Sequence, residues 1–299
     1  MINSKKNLIY IGTILLVFSI VLNTGCTGQA DETQQVSTDK GTIKFGLPPW
    51  PGVTVKTEVA KVILEEMGYK VETNKLDAGI VYAEMAEGNI DSLLAGWLPV
   101  THKEYWKIHG NNLEQVHINV PETWLGLAVP TYVYDSGVKS LSNLNGKETE
   151  FGARIVGIEP GAGIMNSTNE AISAYGLTGY TLKSSSTPAM MAEVDSAILN
   201  NEWVVFTIWK PHSAFARFDI KELEDPQGIY GGGDVVYTIV RKGFKEDFPE
   251  AYAFFEKFQV TPETQSEWIL EYSDKGRDPA EVAKEWVNNN RDQVQEWIS

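Results

Sequence analysis

The spacing of apolar and polar positions changes several times along the chain, and each spacing predicts a different type of element. Residues 42–46 and residues 69–75 alternate between polar and apolar side chains, so both segments are predicted strands. Between them, residues 53–67 carry apolar side chains at helical spacing and stop at a glycine, a typical helix end. Residues 80–86 are a second predicted helix, and residues 90–95 are a buried strand. This alternation favours an α/β fold with a mainly parallel sheet.

The second half of the chain repeats the alternation after a break. Residues 124–130 form an apolar strand that ends in proline, and the turn-rich residues 136–146 are predicted to cross into a second unit. Short apolar strands are then predicted at residues 155–158, 203–209 and 235–240, the last of which carries the chain back toward the first unit. We therefore predict two α/β lobes joined by two crossing segments.

The chain length agrees with two lobes. With 299 residues, the chain exceeds what one hydrophobic core usually supports. We place the first lobe at residues 41–130 plus 238–299 and the second at residues 131–237. The tail of the first lobe is predicted to be helical, with Asp278 and Pro279 as the N-cap and first residue of a helix. Ligands of such proteins lie in the cleft between lobes.

The N-terminus has the pattern of a secretory signal peptide, which we assign to residues 1–25. Lys5 and Lys6 precede an apolar run over residues 8–22, and the small residues before Cys26 follow. The run is short for a stable membrane span, which needs about 20 apolar residues. The alternative is an uncleaved N-terminal anchor. Both interpretations place the rest of the chain outside the cytoplasm.

Cys26 is the single cysteine of the chain, so neither an intramolecular disulfide nor a multi-cysteine metal site can form. Its position after Thr24 and Gly25 resembles a bacterial lipobox, although Asn23 stands where leucine is usual. That resemblance implies cleavage before Cys26 and lipidation of its thiol. Residues 26–40 are polar and cannot bury a core, so they are a predicted flexible tether to the membrane.

Composition narrows the function mainly by exclusion. Hydrophobic residues make up 42% of the chain and charged residues 22%, which is usual for a globular protein. A formal net charge of −15 excludes the basic surface of a nucleic-acid-binding protein and otherwise reports mostly on solubility. We predict no cofactor and no bound metal.

Enzymatic motifs are not evident. The four histidines do not form an HExxH motif, and the chain lacks a P-loop, a GxSxG motif and a cysteine nucleophile pattern. Residues 231–233 are three glycines, but they lack the strand-turn-helix setting of a nucleotide-binding loop and are predicted to form a turn. We therefore predict no enzymatic activity.

Three of the nine tryptophans stand beside prolines. Trp50, Trp97 and Trp209 each lie where an apolar strand meets a proline, whereas Trp124, Trp203, Trp286 and Trp297 lie within strand or helix patterns that predict core packing. A proline ends a strand and restricts the backbone before it, so the neighbouring side chain can point into a cleft. Spacing alone leaves open whether the three share one site.

Three separated motifs resemble the glycine-betaine-binding proteins of ABC importers, the OpuAC family. They are residues 96–102 (GWLPVTH), 159–165 (EPGAGIM) and 209–212 (WKPH), and the similarity runs from about residue 41 to the C-terminus. The resemblance implies a two-lobed periplasmic-binding-protein fold of type II-like form. It also implies a cage of three tryptophans around a trimethylammonium group, here Trp50, Trp97 and Trp209.

The resemblance further implies that the ligand carboxylate is held by His102 and by the backbone N–H groups of Gly163 and Ile164. Residues 160–163 before a predicted helix suit an anion, because a helix N-terminus has free amides. His212 is expected to support the site from behind. Two departures from the family are the Pro48-Pro49 pair before Trp50 and Ser213 in place of an aromatic residue.

The predicted function is capture of glycine betaine or proline betaine for uptake as a compatible solute. The implied partners are the permease and ATPase of an ABC importer, with the protein anchored to the outer face of the cell membrane through Cys26. Alternatives are a choline or carnitine protein of the same class, and a surface lipoprotein without a transported solute. A charged His102 would make betaine affinity fall as pH rises, whereas a neutral donor would leave affinity flat.

Overall fold

A computed structural model describes residues 40–299. The predicted signal peptide, Cys26 and all of the predicted tether except Lys40 lie outside the described residues, so their assignments stay predictions. Within residues 40–299, no helix combines the length and the apolar character that crossing a lipid bilayer would require.

In residues 40–299, ten strands build two five-stranded sheets. They are β1 Thr42–Leu47, β2 Lys70–Lys75, β3 Ser92–Leu98, β4 Leu113–Val120, β5 Trp124–Pro130, β6 Arg154–Val156, β7 Thr181–Lys183, β8 Phe206–Lys210, β9 Ile220–Glu222 and β10 Val235–Arg241. The first sheet has the order β2-β1-β3-β10-β4 and the second β7-β6-β8-β5-β9. In the first sheet, β1 pairs in parallel with β2 and β3, and the later strand β10 pairs antiparallel with β3 and β4. In the second sheet, β6 pairs in parallel with β7 and β8, and the earlier strand β5 pairs antiparallel with β8 and β9.

Twelve α-helices connect and cover these strands in the described part of the chain. They are α1 Pro51–Glu66, α2 Ala78–Ala86, α3 Lys103–His109, α4 Thr131–Asp135, α5 Gly163–Ala174, α6 Thr187–Leu199, α7 Ala214–Arg217, α8 Phe244–Asp247, α9 Pro249–Phe255, α10 Pro262–Ile269, α11 Pro279–Asn289 and α12 Arg291–Ile298. The predicted cap is confirmed, because Asp278 Oδ1 accepts hydrogen bonds from the N–H groups of Ala280 and Glu281.

The prediction of an α/β fold with two lobes is confirmed by the two sheets and by the solved structures described below. We call the first sheet with its helices the first lobe, and the second sheet with its helices the second lobe. The predicted strands and helices appear within a few residues of their expected bounds, since hydrophobic periodicity sets them locally.

The crossing between the lobes differs from the prediction in one respect. Strand β5 pairs with β8 and β9, so residues 124–130 belong to the second sheet and not to the first. The chain leaves the first sheet after Val120, and the turn-rich residues 136–146 lie within the second lobe, where Ser140 bridges to Glu224. An apolar strand fits either sheet, so the pattern could not show which sheet it joins. The outer bounds of the lobes stay a prediction.

Each lobe has a dense core behind the cleft. In the first lobe, Phe254 packs against Phe258, and Trp297 of the last helix stands edge-on to Phe258 with ring centroids 5.0 Å apart. Trp286 stacks on Trp297, as expected for core tryptophans. The C-terminal helices therefore cover the first sheet and hold α1, which begins at the cleft, in place.

Candidate ligand-binding site

One cavity between the lobes brings together all six predicted ligand-binding residues. Its lining includes Trp50, Trp97, Trp209, His102, Gly163 and Ile164. Trp50, Trp97 and His102 come from the first lobe, and the other three come from the second. The lining also contains residues that were not predicted as ligand contacts from the sequence, among them Lys56, Thr101 and Gln265.

Prolines place the three indoles at element ends. Trp50 is the N-cap of α1, in extended conformation, with Pro51 as the first helical residue. Trp97 is the second-last residue of β3, and Trp209 is the second-last residue of β8; a proline follows each strand. Since proline has no N–H to continue a ladder, both strands stop there. All three indoles are more than nine-tenths buried, yet all line the cavity.

Two of the three indoles lie against histidine rings. The ring centroids of Trp50 and His102 lie 5.9 Å apart. The rings of Trp209 and His212 are arranged edge-to-face, with centroids 4.9 Å apart. The Nδ1 atom of His212 accepts a hydrogen bond from the Ala214 N–H, and burial lowers its pKa to about 4. A neutral His212 therefore braces the Trp209 ring from behind, which matches the supporting place that the sequence predicts for it.

The hydrogen bonds of His102 determine its tautomer. Its Nδ1 atom accepts the backbone N–H of Trp97 at 3.2 Å, and the Tyr82 hydroxyl lies equally close. Because a backbone N–H can only donate, the ring proton belongs on Nε2. That atom is buried and has no partner within residues 40–299. It is thus an available donor at the edge of the cavity.

Burial keeps His102 neutral. The side chain is 1% exposed, and desolvation lowers its pKa from 6.5 to about 3. The structure therefore does not support the alternative of a charged His102, which would make betaine affinity fall as pH rises. The geometry favours a neutral N–H donor, whose donor capacity is constant above about pH 4.

Helix α5 starts at the cavity with free backbone amides. Ala162 is its extended N-cap, and no side chain caps the helix. The first N–H groups of a helix, here those of Gly163 and Ile164, have no acceptor within the helix, and the helix dipole favours negative charge near them. Gly163 packs so tightly that an added Cβ would lie 2.4 Å from the Thr101 carbonyl oxygen and 3.0 Å from His102 Cδ2.

A buried carboxylate anchors the loop that carries Thr101 and His102. Asp234 accepts hydrogen bonds from the N–H groups of Val100, at 2.6 Å, and of Thr101, at 2.9 Å, and from the Thr101 hydroxyl. Its own carbonyl accepts a hydrogen bond from Thr123 in the other crossing segment. Asp234 directly follows the three glycines that the sequence predicts to form a turn. The hydrogen bonds that Asp234 accepts from a loop more than 130 residues earlier in the chain could not be predicted from the sequence.

Contacts outside the cavity join the two lobes. The Tyr105 hydroxyl of α3 donates to the Gly161 carbonyl at 2.9 Å, and Lys103 pairs with Glu170 of α5 at 3.2 Å. On the far side, Arg217 of the second lobe pairs with Asp274, which follows α10, at 3.0 Å. The lobes are thus held against each other around the cavity.

A family model for the substrate-binding domain of ABC-type glycine betaine transport systems matches residues 41–289. A curated relative, the glycine betaine/carnitine transport binding protein GbuC of Listeria monocytogenes, is 46% identical over 145 residues. That aligned stretch covers 48% of this chain and 48% of the relative, so it spans about half the length of the relative.

Solved structures extend the likeness over most of the chain. One such structure is ProX of Borrelia burgdorferi, the binding protein of a glycine betaine, L-proline ABC transporter. It matches this chain with a TM-score of 0.83 and 35% sequence identity, and the match covers 86% of this chain and 97% of ProX. Lactococcal OpuAC, closed on glycine betaine, has a TM-score of 0.82 and 31% identity, with coverage of 87% and 100%. A choline-binding protein in complex with choline has a TM-score of 0.82 and 25% identity, with coverage of 86% and 91%.

The family match covers most of the residues that build both sheets and the whole cavity lining. The chain therefore belongs to the OpuAC family of substrate-binding domains of ABC-type glycine betaine transport systems.

Proposed function

We propose that this protein captures glycine betaine, or the related proline betaine, outside the cytoplasm and delivers it to an ABC importer as a compatible solute. The observation that carries the proposal is that one cavity is lined by three buried indoles, by the N-terminus of α5 and by His102, whose Nε2 atom has no partner within residues 40–299. Aromatic faces and anion-binding donors in one cavity suit a zwitterion with a quaternary ammonium.

The indoles account for the cationic end of the ligand. A trimethylammonium group has no N–H, so hydrogen bonds cannot recognise it, and it is large and weakly hydrated. The face of an indole attracts such a cation through the ring quadrupole, and each desolvated contact contributes about 1–2 kcal/mol. Because Trp50, Trp97 and Trp209 are already buried and ordered by their neighbours, little conformational entropy is lost on binding.

Hydrogen-bond donors in the same lining account for the carboxylate. The free amides of Gly163 and Ile164 and the Nε2–H of His102 are three donors without a charge that would need a counter-ion. A carboxylate would satisfy the unpartnered Nε2 of His102, which is costly to leave buried and unbonded. The two ends of a betaine would thus touch both lobes, and binding would favour the closed arrangement.

Choline or carnitine is the second candidate, because the relative GbuC is named for glycine betaine and carnitine, and a similar solved structure holds choline. Choline has no carboxylate, so it would offer the His102 and α5 donors no anionic acceptor. A surface lipoprotein without a transported solute is a further alternative, and it predicts no ligand at all.

The remaining parts of the proposal concern location and partners. We infer an anchor to the outer face of the membrane through lipidated Cys26, and recognition of the closed form by the permease of an importer driven by an ATPase. The proposal needs no catalytic residue and no cofactor. Detection of a diacylglyceryl thioether on Cys26 by mass spectrometry would support the anchor, and an unmodified thiol in membrane-extracted protein would refute it.

Calorimetric titration tests the ligand. The full chain, purified in detergent and stripped of ligand by unfolding and refolding, would be titrated with glycine betaine, proline betaine, carnitine, choline and proline. We expect heat with the betaines and none with proline, which lacks a quaternary nitrogen. Absence of binding to either betaine would refute the proposal, and a preference for choline would favour the second candidate.

A further inference from the structure

A buried lysine lines the same cavity as the three indoles. Lys56 lies in α1, less than two turns after Trp50, and is 1% exposed. Its Nζ atom lies 2.7 Å from the Asn119 side-chain oxygen. Asn119 is itself held by the Leu94 carbonyl and the Thr238 hydroxyl, to which its side-chain nitrogen donates. The amine is therefore fixed in place and cannot swing out to solvent.

Within residues 40–299, no carboxylate forms an ion pair with this amine. Lys56 makes no ion pair within residues 40–299, and the groups that hold it are a neutral amide and, through that amide, a carbonyl and a hydroxyl. Ion pairing is the usual way to stabilise a buried charge, so a lysine in this setting is an uncompensated cation whenever it is protonated.

The other ionisable groups around the cavity do not compensate it either. His102 is the second titratable group of the lining and is neutral, as described above. Asp234, the buried carboxylate of the crossing segment, is occupied by Val100 and Thr101. The charged groups on and beside α1 and α11 do not shift the pKa of Lys56, which is lowered by burial alone. The pKa of Glu58, by contrast, is affected by Lys61, Asp278 and Lys284. Gln265 of α10 adds a polar but uncharged oxygen without a partner in the described part of the chain.

We propose that Lys56 is a specificity-determining residue, which disfavours ligands of net positive charge, such as choline, relative to zwitterionic betaines. The inference rests on the proposed function of the site. In a cavity shielded from water, an ammonium repels a second cation much more strongly than it would in bulk solvent. A betaine brings its own carboxylate into the cavity, which offsets this repulsion, whereas choline brings only the cation.

The protonation state of Lys56 sets the sign of the pH dependence. Burial lowers its pKa from 10.5 to about 7, so the amine is charged below that pH and neutral above it. Choline binding should therefore strengthen as pH rises from about 6 to about 8.5, and it should release protons from Lys56 near neutral pH. The affinity for glycine betaine should change less over the same range.

Two substitutions and one control test the inference on the full chain. Lys56→Met removes the charge at similar length, and Lys56→Gln removes it while keeping an N–H donor for Asn119. Lys61→Met makes the same change on the same helix, outside the cavity lining. Affinities for glycine betaine and choline would be measured by tryptophan fluorescence at about pH 6 and pH 8.5, with circular dichroism to verify folding.

We expect the ratio of betaine to choline affinity at about pH 6 to fall roughly tenfold or more in Lys56→Met and Lys56→Gln, and to stay at its wild-type value in Lys61→Met. In the wild-type protein the ratio should also fall on going to about pH 8.5. If Lys56→Met does not fold, Lys56→Gln decides the outcome.

An unchanged ratio in the folded Lys56 variants would overturn the inference, and so would choline binding that is undetectable in both the wild type and the variants. These outcomes differ from failure of the proposed function, which would appear as loss of glycine betaine binding in the wild-type protein itself.

Discussion

At the scale of single residues, the site consists of buried side chains that present ring faces or an unpaired hydrogen-bond donor to the cavity. The indole faces of Trp50, Trp97 and Trp209 line the cavity, and the Nε2 atom of His102 has no partner in residues 40–299. A buried donor without an acceptor is costly, which makes its occupation by a ligand favourable.

Replacement of Trp97 by alanine tests the cage. We expect Trp97→Ala to weaken glycine betaine binding at least tenfold, about 1.4 kcal/mol, because one aromatic face and part of the water exclusion are lost. Isothermal titration calorimetry measures the change. Trp106→Ala, on α3 and outside the cavity lining, is the matched control and should keep the wild-type affinity. An unchanged affinity in Trp97→Ala would remove Trp97 from the proposed cage.

The pH profile tests the protonation state of His102. Because its pKa lies at about 3, the ring should stay neutral and glycine betaine affinity should be flat from about pH 5 to pH 9. The measurement is best made in Lys56→Met, which removes the other titratable group from the cavity lining. A loss of affinity on raising the pH through about 6.5 would contradict the neutral donor and indicate an imidazolium contact.

At the scale of elements, the site depends on where strands stop and helices start. Strands β3 and β8 end one residue after their tryptophans, while α1 and α5 begin at the cavity, so the four element ends converge. Helix α5 can approach the loop of Thr101 and His102 only because its first residue is glycine.

A methyl group at Gly163 should therefore interfere with closure. In Gly163→Ala, the new Cβ would overlap the Thr101 carbonyl oxygen and Cγ2, which lie 2.4 and 2.5 Å from its ideal position. We expect glycine betaine affinity to fall roughly tenfold or more, with little change in the melting temperature of the ligand-free protein, since opening the lobes relieves the overlap.

The control for this substitution is Ser173→Ala, which lies near the other end of the same helix and is exposed. Affinity by calorimetry and melting by circular dichroism would be measured for both variants. Equal affinities of Gly163→Ala and wild type would show that α5 need not approach the loop closely when ligand binds.

At the scale of the whole molecule, affinity includes the free energy of closing the two lobes. A contact that joins the lobes but does not touch the ligand should change affinity through the closed state alone. Such contacts are the hydrogen bond from Tyr105 to Gly161 and the ion pair of Arg217 with Asp274. The ion pair is partly exposed and should contribute little, so the tyrosine is the better probe.

Tyr105→Phe should weaken glycine betaine binding by about two- to tenfold, because a typical hydrogen bond contributes about 0.5–1.5 kcal/mol. Tyr132→Phe is the matched control, since the Tyr132 hydroxyl donates to the Glu202 carbonyl within the second lobe. That variant should lower the free energy of unfolding without changing affinity. If both variants bind glycine betaine like the wild type, the Tyr105 contact does not contribute to closure.

By itself, the sequence determined the local features: the periods of strands and helices, the proline-bounded tryptophans and the glycine at the start of α5. These follow from backbone restrictions and hydrophobic period, which act over a few residues. With the family resemblance, they also indicated which residues share a cavity. The lobe to which β5 belongs was predicted incorrectly, because an apolar strand can pair in either sheet.

Only the tertiary structure decided the features that depend on distant partners. The anchoring of the Thr101 loop by Asp234, the tautomer of His102 and the burial of Lys56 beside Asn119 join residues that are far apart in the chain or depend on enclosure by many elements. Exclusion of water lowers the pKa of His102 and of Lys56, and that exclusion exists only once the elements that bury these side chains are assembled. The ionisation states in the site are for this reason a property of the folded molecule.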